Sequence, residues 1–184
     1  VNSEEHKLVK ARLYKFCPWC ASTLVMKHSD GRDRLICPDC DFIWYRNPIP
    51  AAGAILRREN SILLVKRKFA PRVGDWCFPA GFMEYNESPV ECCIRELKEE
   101  TGLDIKITSP FRNYAGHDDP RSNAVLMMYL AEIVGGDLVA GDDALEVEFF
   151  DLGDIPSNIA FQAHRDAIAD YKRYMENGRL PQEQ

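Results

Sequence analysis

Between Gly81 and Leu103 the chain sets out a glycine loop, a helix start, and a helix with carboxylates crowded along one flank. No other stretch constrains the fold as tightly. Ser88 suits an N-cap, Pro89 the first turn, and Glu91, three residues after Ser88, completes a capping box. Gly102 is the stop signal. At about 100° per residue, Glu96 and Glu100 project about 40° apart, with Glu99 beside them. Val90, Ile94 and Leu97 supply the apolar stripe expected to face a core. Three carboxylates on one flank repel one another by a few tenths of a kcal/mol per pair, so a positive partner is expected. Hard divalent cations take oxygen ligands, and magnesium is typically held by one or two carboxylates together with substrate phosphates.

The spacing adds identity to that chemistry. Gly81, five residues, Glu87, seven residues, Arg95-Glu96-Leu97, one residue, Glu99-Glu100, one residue and Gly102-Leu103 match the Nudix box at every defined position. The chain therefore resembles the Nudix hydrolases. That resemblance implies an α/β/α sandwich and magnesium-dependent cleavage of a nucleoside diphosphate linked to another moiety. It also implies Glu96 and Glu100 as direct ligands of magnesium or manganese, in one to three ions. Glu99 would be a ligand directly or through water, and the backbone carbonyl of Ala80, just before the box glycine, a further one. Arg95 is expected to pair with Glu87 and hold the carboxylates in place. Relatives often recruit another glutamate from the strand before the last helix. Glu146, three residues before Phe149, matches best, with Glu148 as competitor, so the general base is Glu146, Glu99 or Glu148.

Ahead of the box lie Cys17-Pro-Trp-Cys20 and, after 16 residues, Cys37-Pro-Asp-Cys40. Paired knuckles at this spacing point to one structural zinc held by four thiolates. Metal binding supplies the stability that so short a segment cannot draw from its core. Leu24–His28 and Arg34–Ile36 read as a hairpin around Asp30-Gly31, with His28 a strand residue rather than a ligand. Residues 1–14 read as a short amphipathic lead-in. Asn47-Pro-Ile-Pro50 marks a boundary, giving two expected domains: 1–47, lead-in and zinc ribbon, and 48–184, the hydrolase domain. The fold class is α+β.

Ala51–Arg57 and Ile62–Lys66 read as a second hairpin. Lys66-Arg67-Lys68 ends it, and Lys66 and Arg67 are natural contacts for a diphosphate. Trp76 and Tyr114 are the candidate aromatic contacts for a base or flavin. The loop Tyr114–Asn123, with His117, Asp118, Asp119 and Arg121, is suited to line a substrate cleft. Asp104–Thr108, Ala124–Val134 and Leu145–Leu152 read as strands, and Phe161–Asn177 as the last helix.

The net charge is −6, and the acidity lies beyond residue 50. This weighs against strong nonspecific nucleic-acid binding, although Trp19, Phe42, Trp44 and Tyr45 could stack bases in a zinc-ribbon binding module. No apolar run approaches the roughly 18 residues of a membrane span. The first residues lack the apolar core of a signal peptide, and seven cysteines fit metal binding in a reducing compartment. A cytoplasmic location is expected.

A four-cysteine ribbon ahead of a Nudix box is similar to two groups. One comprises NADH pyrophosphatases, some of which remove NAD caps from RNA. Their Ser-Gln-Pro-Trp-Pro-Phe-Pro run is absent here, where Phe111-Arg-Asn-Tyr-Ala-Gly-His stands. The other comprises plant chloroplast FAD pyrophosphatases and bacterial relatives. It is matched by Tyr45, Asn47 and Pro48, by Lys66-Arg67, and by Pro79-Ala80-Gly81. That second resemblance implies FAD or ADP-ribose as a dinucleotide-type substrate, with AMP released. A homodimer is compatible with it.

Overall fold

The computed structural model describes residues 14–141 and 143–179. Apart from Tyr14, the lead-in expected at 1–14 lies outside them. The chain divides into two compact units, one ending at Asn47 and the other beginning at Pro48.

In the first unit β1 (Val25–Ser29) and β2 (Arg32–Ile36) pair antiparallel, and β3 (Ile43–Trp44) adds to β2. Asp30 and Gly31 both take positive φ, 51° and 75°, the two-residue turn whose twist matches a hairpin. Leu24, Leu35, Cys17 and Cys37 are buried together, with Phe42 and Trp44 packed on them. Two leucines are a thin core, and a unit of this size needs a further staple.

The second unit is built on one mixed sheet. Its strands are β4 (Ile49–Arg58), β5 (Ser61–Arg67), β6 (Trp76–Cys77), β7 (Ala80–Phe82), β8 (Leu103–Gly116), β9 (Ala124–Gly136) and β10 (Ala144–Asp151). Two helices, α1 (Pro89–Thr101) and α2 (Gln162–Asn177), complete it. The order is β10-β5-β4-β9-β8. β4 and β9 are parallel and the other pairs antiparallel. Ile62 and Leu64 pack with α2 residues Ala167 and Tyr171, while Leu63 packs with Cys92, Cys93 and Leu97 of α1. Alternate residues of one strand thus feed two cores, one on each face. The result is a helix–sheet–helix sandwich.

β4 and β5 are laddered only at Arg57–Ile62 and Arg58–Ser61. Beyond that point they part. The first half of β4 pairs with β7, from Ala51–Phe82 to Gly53–Ala80, and the end of β5 pairs with β6 at Val65 and Lys66. The segment from Trp76 to Phe82 is therefore inserted between the two central strands, and it delivers Ala80 and Gly81 to the middle of the sheet.

Two expectations need correcting. The buried face of α1 is formed by Cys92, Cys93, Leu97 and Thr101, whereas Val90 and Ile94 are 39% and 40% exposed. Small thiols let the helix approach the sheet closely, and the helix is turned so that its carboxylates face the glycine loop. β8 also runs to Gly116, into residues expected to be loop. Register shifts at Ile107/Ser109 and Pro110/Arg112 absorb Pro110, which an edge strand tolerates.

Candidate active site

The glutamate helix is fixed at both ends. Ser88 accepts the Glu91 N–H and Glu91 accepts the Ser88 N–H, while Gly102 closes the helix in the left-handed region at φ 72°. From this frame Arg95 gathers three carboxylates. Its Nη2 and Nε donate to Glu87 at 2.6 and 3.0 Å, and its Nη1 donates to Glu96 at 2.8 Å and Glu99 at 3.0 Å. Arg95 Nη2 also donates to the Phe82 carbonyl at 3.2 Å, tying the helix to β7. The bond from Arg95, then the one from the Glu84 N–H, holds Glu87 down to a pKa of about 2. Burial, with the charges of Glu99 and Glu87 behind it, pushes Glu96 up, against Arg95. Gly81 lies against Glu96 so closely that a Cβ would occupy the carboxyl's place. The box glycine is therefore a packing requirement of the glutamate fifteen residues on.

Glu100 is set differently. It accepts the Ala80 N–H at 3.0 Å, and burial, then Glu96 and Asp143, raise its pKa to about 8. Asp143 arrives on a loop held to the end of α1 by main-chain bonds, Val139 N–H to Thr101 O and Gly141 N–H to Glu100 O, each 3.0 Å. Gly141 is in such close contact with the Glu99 carbonyl that no side chain could stand there. Asp143 is in turn anchored by its own carbonyl, which accepts the Lys68 N–H at 3.1 Å.

These groups line a cavity of about 340 Å³. Glu96, Glu100 and Asp143 form its acidic part. Arg67, Lys68 and Arg121 line it as well, each against an aromatic ring of the same cavity: Arg67 lies 5.0 Å from the Phe161 centroid, Lys68 5.5 Å from Phe69, and Arg121 6.0 Å from Phe82. Arg67 is further fixed by donating from Nε to the Pro71 carbonyl at 3.0 Å. Such a cavity can hold a divalent cation on its carboxylates beside a diphosphate on its arginines, with a flat ring against its aromatic side chains.

Of the residues singled out from sequence, Ala80, Gly81, Glu96, Glu100, Arg67 and Lys68 line the cavity, as do Asp118, Asp119 and Arg121 of the loop expected to line a cleft, whereas His117 does not. Glu87, Arg95 and Glu99 join it through the arginine's bonds. Lys66, Trp76, Tyr114 and Glu146 do not line it. Lys66 pairs with Glu146 at 2.9 Å, because the register of β10 on β5 sets those two opposite each other. Glu148 is exposed on the same strand. Trp76 is 7% exposed and meets Phe150 edge-on at 4.7 Å. The Tyr114 hydroxyl donates to buried Asp170 at 3.0 Å, a bond that anchors α2 to β8. Asp143, His164, Phe82 and Phe161 line the cavity without having been singled out. Phe82 alone carried a signal, as the residue after the box glycine.

In the first unit the sulfurs of Cys17, Cys20, Cys37 and Cys40 lie within 4.8 Å of one another. Cys17–Cys40, Cys20–Cys37 and Cys20–Cys40 are 3.5, 3.4 and 3.5 Å apart. Four thiolates at about 2.3 Å from zinc stand roughly 3.8 Å apart, so the cluster fits that ion. The Trp19 N–H donates to Cys17 Sγ at 3.4 Å, a bond that fixes the sulfur's position in the knuckle.

The fold and the glutamate helix define a class, and comparison with known proteins gives it a name. Residues 47–171 match the NUDIX domain, and residues 15–46 match Nudix N-terminal, a zinc ribbon. The chain belongs to the Nudix hydrolase family. It is 43% identical over 135 residues to an ADP-ribose pyrophosphatase of Methanocaldococcus jannaschii, covering 73% of this chain and 78% of that one. It is 28% identical over 165 residues to the NAD-capped RNA hydrolase NudC of Vibrio atlanticus, covering 86% of this chain but 59% of that longer protein. The crystal structure of a NUDIX hydrolase from Nitrosomonas europaea superposes with a TM-score of 0.80 at 34% identity, over 92% of this chain and 97% of that one. Among the described residues no helix is long and apolar enough to cross a membrane.

Proposed function

We propose that this Nudix hydrolase cleaves the diphosphate of an adenosine diphosphate joined to a second group, ADP-ribose or FAD, and releases AMP. The observation that carries this reading is the cavity itself, where Glu96, Glu100 and Asp143 share one space with Arg67. The name of the Methanocaldococcus relative supports the ADP-ribose side of it.

The donor set fits a magnesium or manganese ion. Glu100 is buried among other carboxylates with its pKa raised, an unfavourable arrangement that a cation relieves. Glu96, Glu100, the Ala80 carbonyl and, in place of Glu146, Asp143 would hold the ion or ions, with Glu99 at the exposed side. Bound there, the metal neutralises phosphoryl charge and lowers the pKa of a bound water. Arg95 and Glu87 keep the ligands in register. Arg67, flat against Phe161, holds the diphosphate in place of Lys66. Phe82 and Phe161 take the stacking role for which Trp76 and Tyr114 are too buried. The ribbon's thiols would hold one structural zinc, and a reducing, cytoplasmic setting keeps them available for it.

The test is kcat/KM for ADP-ribose, FAD, NADH, NAD-capped RNA and a nucleoside triphosphate, all at one magnesium concentration. ADP-ribose or FAD is expected to lead. NADH or capped RNA leading by tenfold would move the protein to the NudC side of the family, and a triphosphate leading would remove the proposed substrate class.

A further inference from the structure

His164 opens α2 on the cavity wall, yet neither the metal helix nor the diphosphate cations use it. Its ring is buried, 6.2 Å from Phe78 and 6.0 Å from Phe161, centroid to centroid. Nδ1 accepts the Phe78 N–H at 3.2 Å. A backbone N–H can only donate, so Nδ1 carries the lone pair and the ring proton sits on Nε2. Burial, and then the charge of Arg67, keep the ring neutral, with a pKa near 4. Among the described residues nothing accepts from Nε2, so a fixed neutral donor remains in a wall that lines the cavity.

An acceptor stands near it. Asp118 also lines the cavity and is close enough for its charge to act on the His164 ring. Its Oδ2 accepts the Gln162 N–H at 2.9 Å and Arg165 Nη2 at 3.3 Å. Its Oδ1 is shielded from solvent and has no hydrogen-bond partner among the described residues. A buried carboxylate oxygen without a donor is costly, and a bound group that brings an N–H satisfies it. The same cavity offers apolar surface in Leu126, Ala163 and the Phe161 ring, which Arg67 covers from one side.

One fixed donor, one unpartnered acceptor and an aromatic face beside them suit the edge of a flat heterocycle. We propose that His164 Nε2–H and Asp118 Oδ1 read the adenine base of the substrate, His164 donating to a ring nitrogen and Asp118 accepting from the 6-amino group. Adenine presents an acceptor beside an amino donor. Hypoxanthine and guanine place a carbonyl oxygen where the amino group stands, and that oxygen would face the carboxylate. The pair thus selects adenine over 6-oxopurines. This inference rests on the adenosine-diphosphate reading above.

The experiment measures binding of ADP-ribose and its hypoxanthine counterpart to the full chain by calorimetry without added magnesium, and then turnover with it. The wild-type protein is expected to prefer adenine at least about tenfold, because a site built on hydrogen bonds rejects the mismatched analogue. Asp118→Asn keeps an oxygen for the Gln162 N–H and turns the acceptor into a donor, so the preference should fall to near unity or invert. His164→Asn keeps the acceptor for Phe78 and loses the donor at the Nε2 position. It should weaken ADP-ribose binding about tenfold, and His164→Gln, which restores that donor, should recover most of the loss. A merely structural histidine gives the opposite order, since Gln loses the bond to Phe78.

A wild-type preference near unity overturns the inference, as does an unchanged preference in Asp118→Asn. So does an equal loss on removing the adenosine 2′-hydroxyl, which would assign the pair to the ribose. Selective binding of ADP-ribose without hydrolysis on adding magnesium would leave this inference standing and overturn the proposed reaction. Hydrolysis without base preference would do the reverse.

Discussion

Arg95 grips both oxygens of Glu87, with Nη2–Oε1 at 2.6 Å and Nε–Oε2 at 3.0 Å. That fork leaves only Nη1 to reach forward to Glu96 and Glu99. Glu87 is thus the anchor that aims the arginine, and the arginine aims Glu96 and Glu99, two of the three carboxylates crowded on the helix flank.

A lysine cannot reproduce such a fork, because it offers a point charge rather than a planar set of donors. Arg95→Lys should lower kcat about 10- to 100-fold, the usual cost of losing a group that orients metal ligands. The melting temperature should change by only a few degrees. Activity within threefold of wild type would remove Arg95 and Glu87 from the machinery.

Direct ligands should cost more. Glu100→Gln and Glu99→Gln are each expected to cut turnover by at least about 100-fold, comparable to deleting one group that stabilises transition-state charge. Asp143→Asn should fall in the same direction by at least tenfold. Glu146→Gln, whose only described partner is Lys66, should stay within twofold. Equal losses in the last two would return Glu146 to the site. Each variant is compared by kcat/KM with magnesium, and circular dichroism checks the fold.

Glu100 also gives the metal-free protein a pH signature. Its ordinary pKa of 4.5 is raised to about 8 in the fold. Between those values the native state holds a proton that the unfolded chain has lost, so raising the pH favours unfolding. The stabilisation is fully present below about 4.5 and is lost as pH rises through about 8, on the order of a few kcal/mol. Melting temperature without metal should therefore fall from pH 5 to pH 8.5, and Glu100→Gln should flatten the slope. Magnesium should raise the melting temperature more at pH 8 than at pH 6. A slope that Glu100→Gln leaves unchanged would place the titration elsewhere.

Metal analysis of the purified protein should find one zinc per chain, and Cys37→Ser should abolish it. The ribbon hairpin should then unfold, because its buried apolar residues are few, while the helical signal of α1 and α2 remains. Native protein with neither zinc nor iron would rule out the four-thiolate site.

The box was legible in the sequence because its spacing specifies side-chain geometry directly. Caps at Ser88 and Gly102 and a 3.6-residue period leave Glu96 and Glu100 little choice of direction. The ribbon was legible for the same reason, since cysteine pairs at knuckle spacing bring their own constraint. What could not be read was anything that depends on strand register or insertion. Glu146 looks like a cavity acid until β10 pairs with β5 and sets it opposite Lys66, while Asp143, in an irregular loop, has no periodic pattern to mark it. Trp76 looks like a stacking platform until its strand is seen threaded into the sheet against Phe150. His164 sits at the first turn of a helix whose docking is fixed by its own Asp170, bonded to Arg112 and Tyr114 of β8, and by Asp118, all three partners far away in sequence from the histidine's end of the helix.

The loop that carries Asp143 is fastened to the glutamate helix through peptide groups, at Val139–Thr101 and Gly141–Glu100. Its fastening is therefore largely indifferent to which side chains the loop displays, with Gly141 the exception. Over evolutionary time such a loop could exchange its exposed residues, and with them the moieties it admits at the cavity's edge, without disturbing the carboxylates beneath. A tether of this kind lets one catalytic frame acquire new specificities by drift.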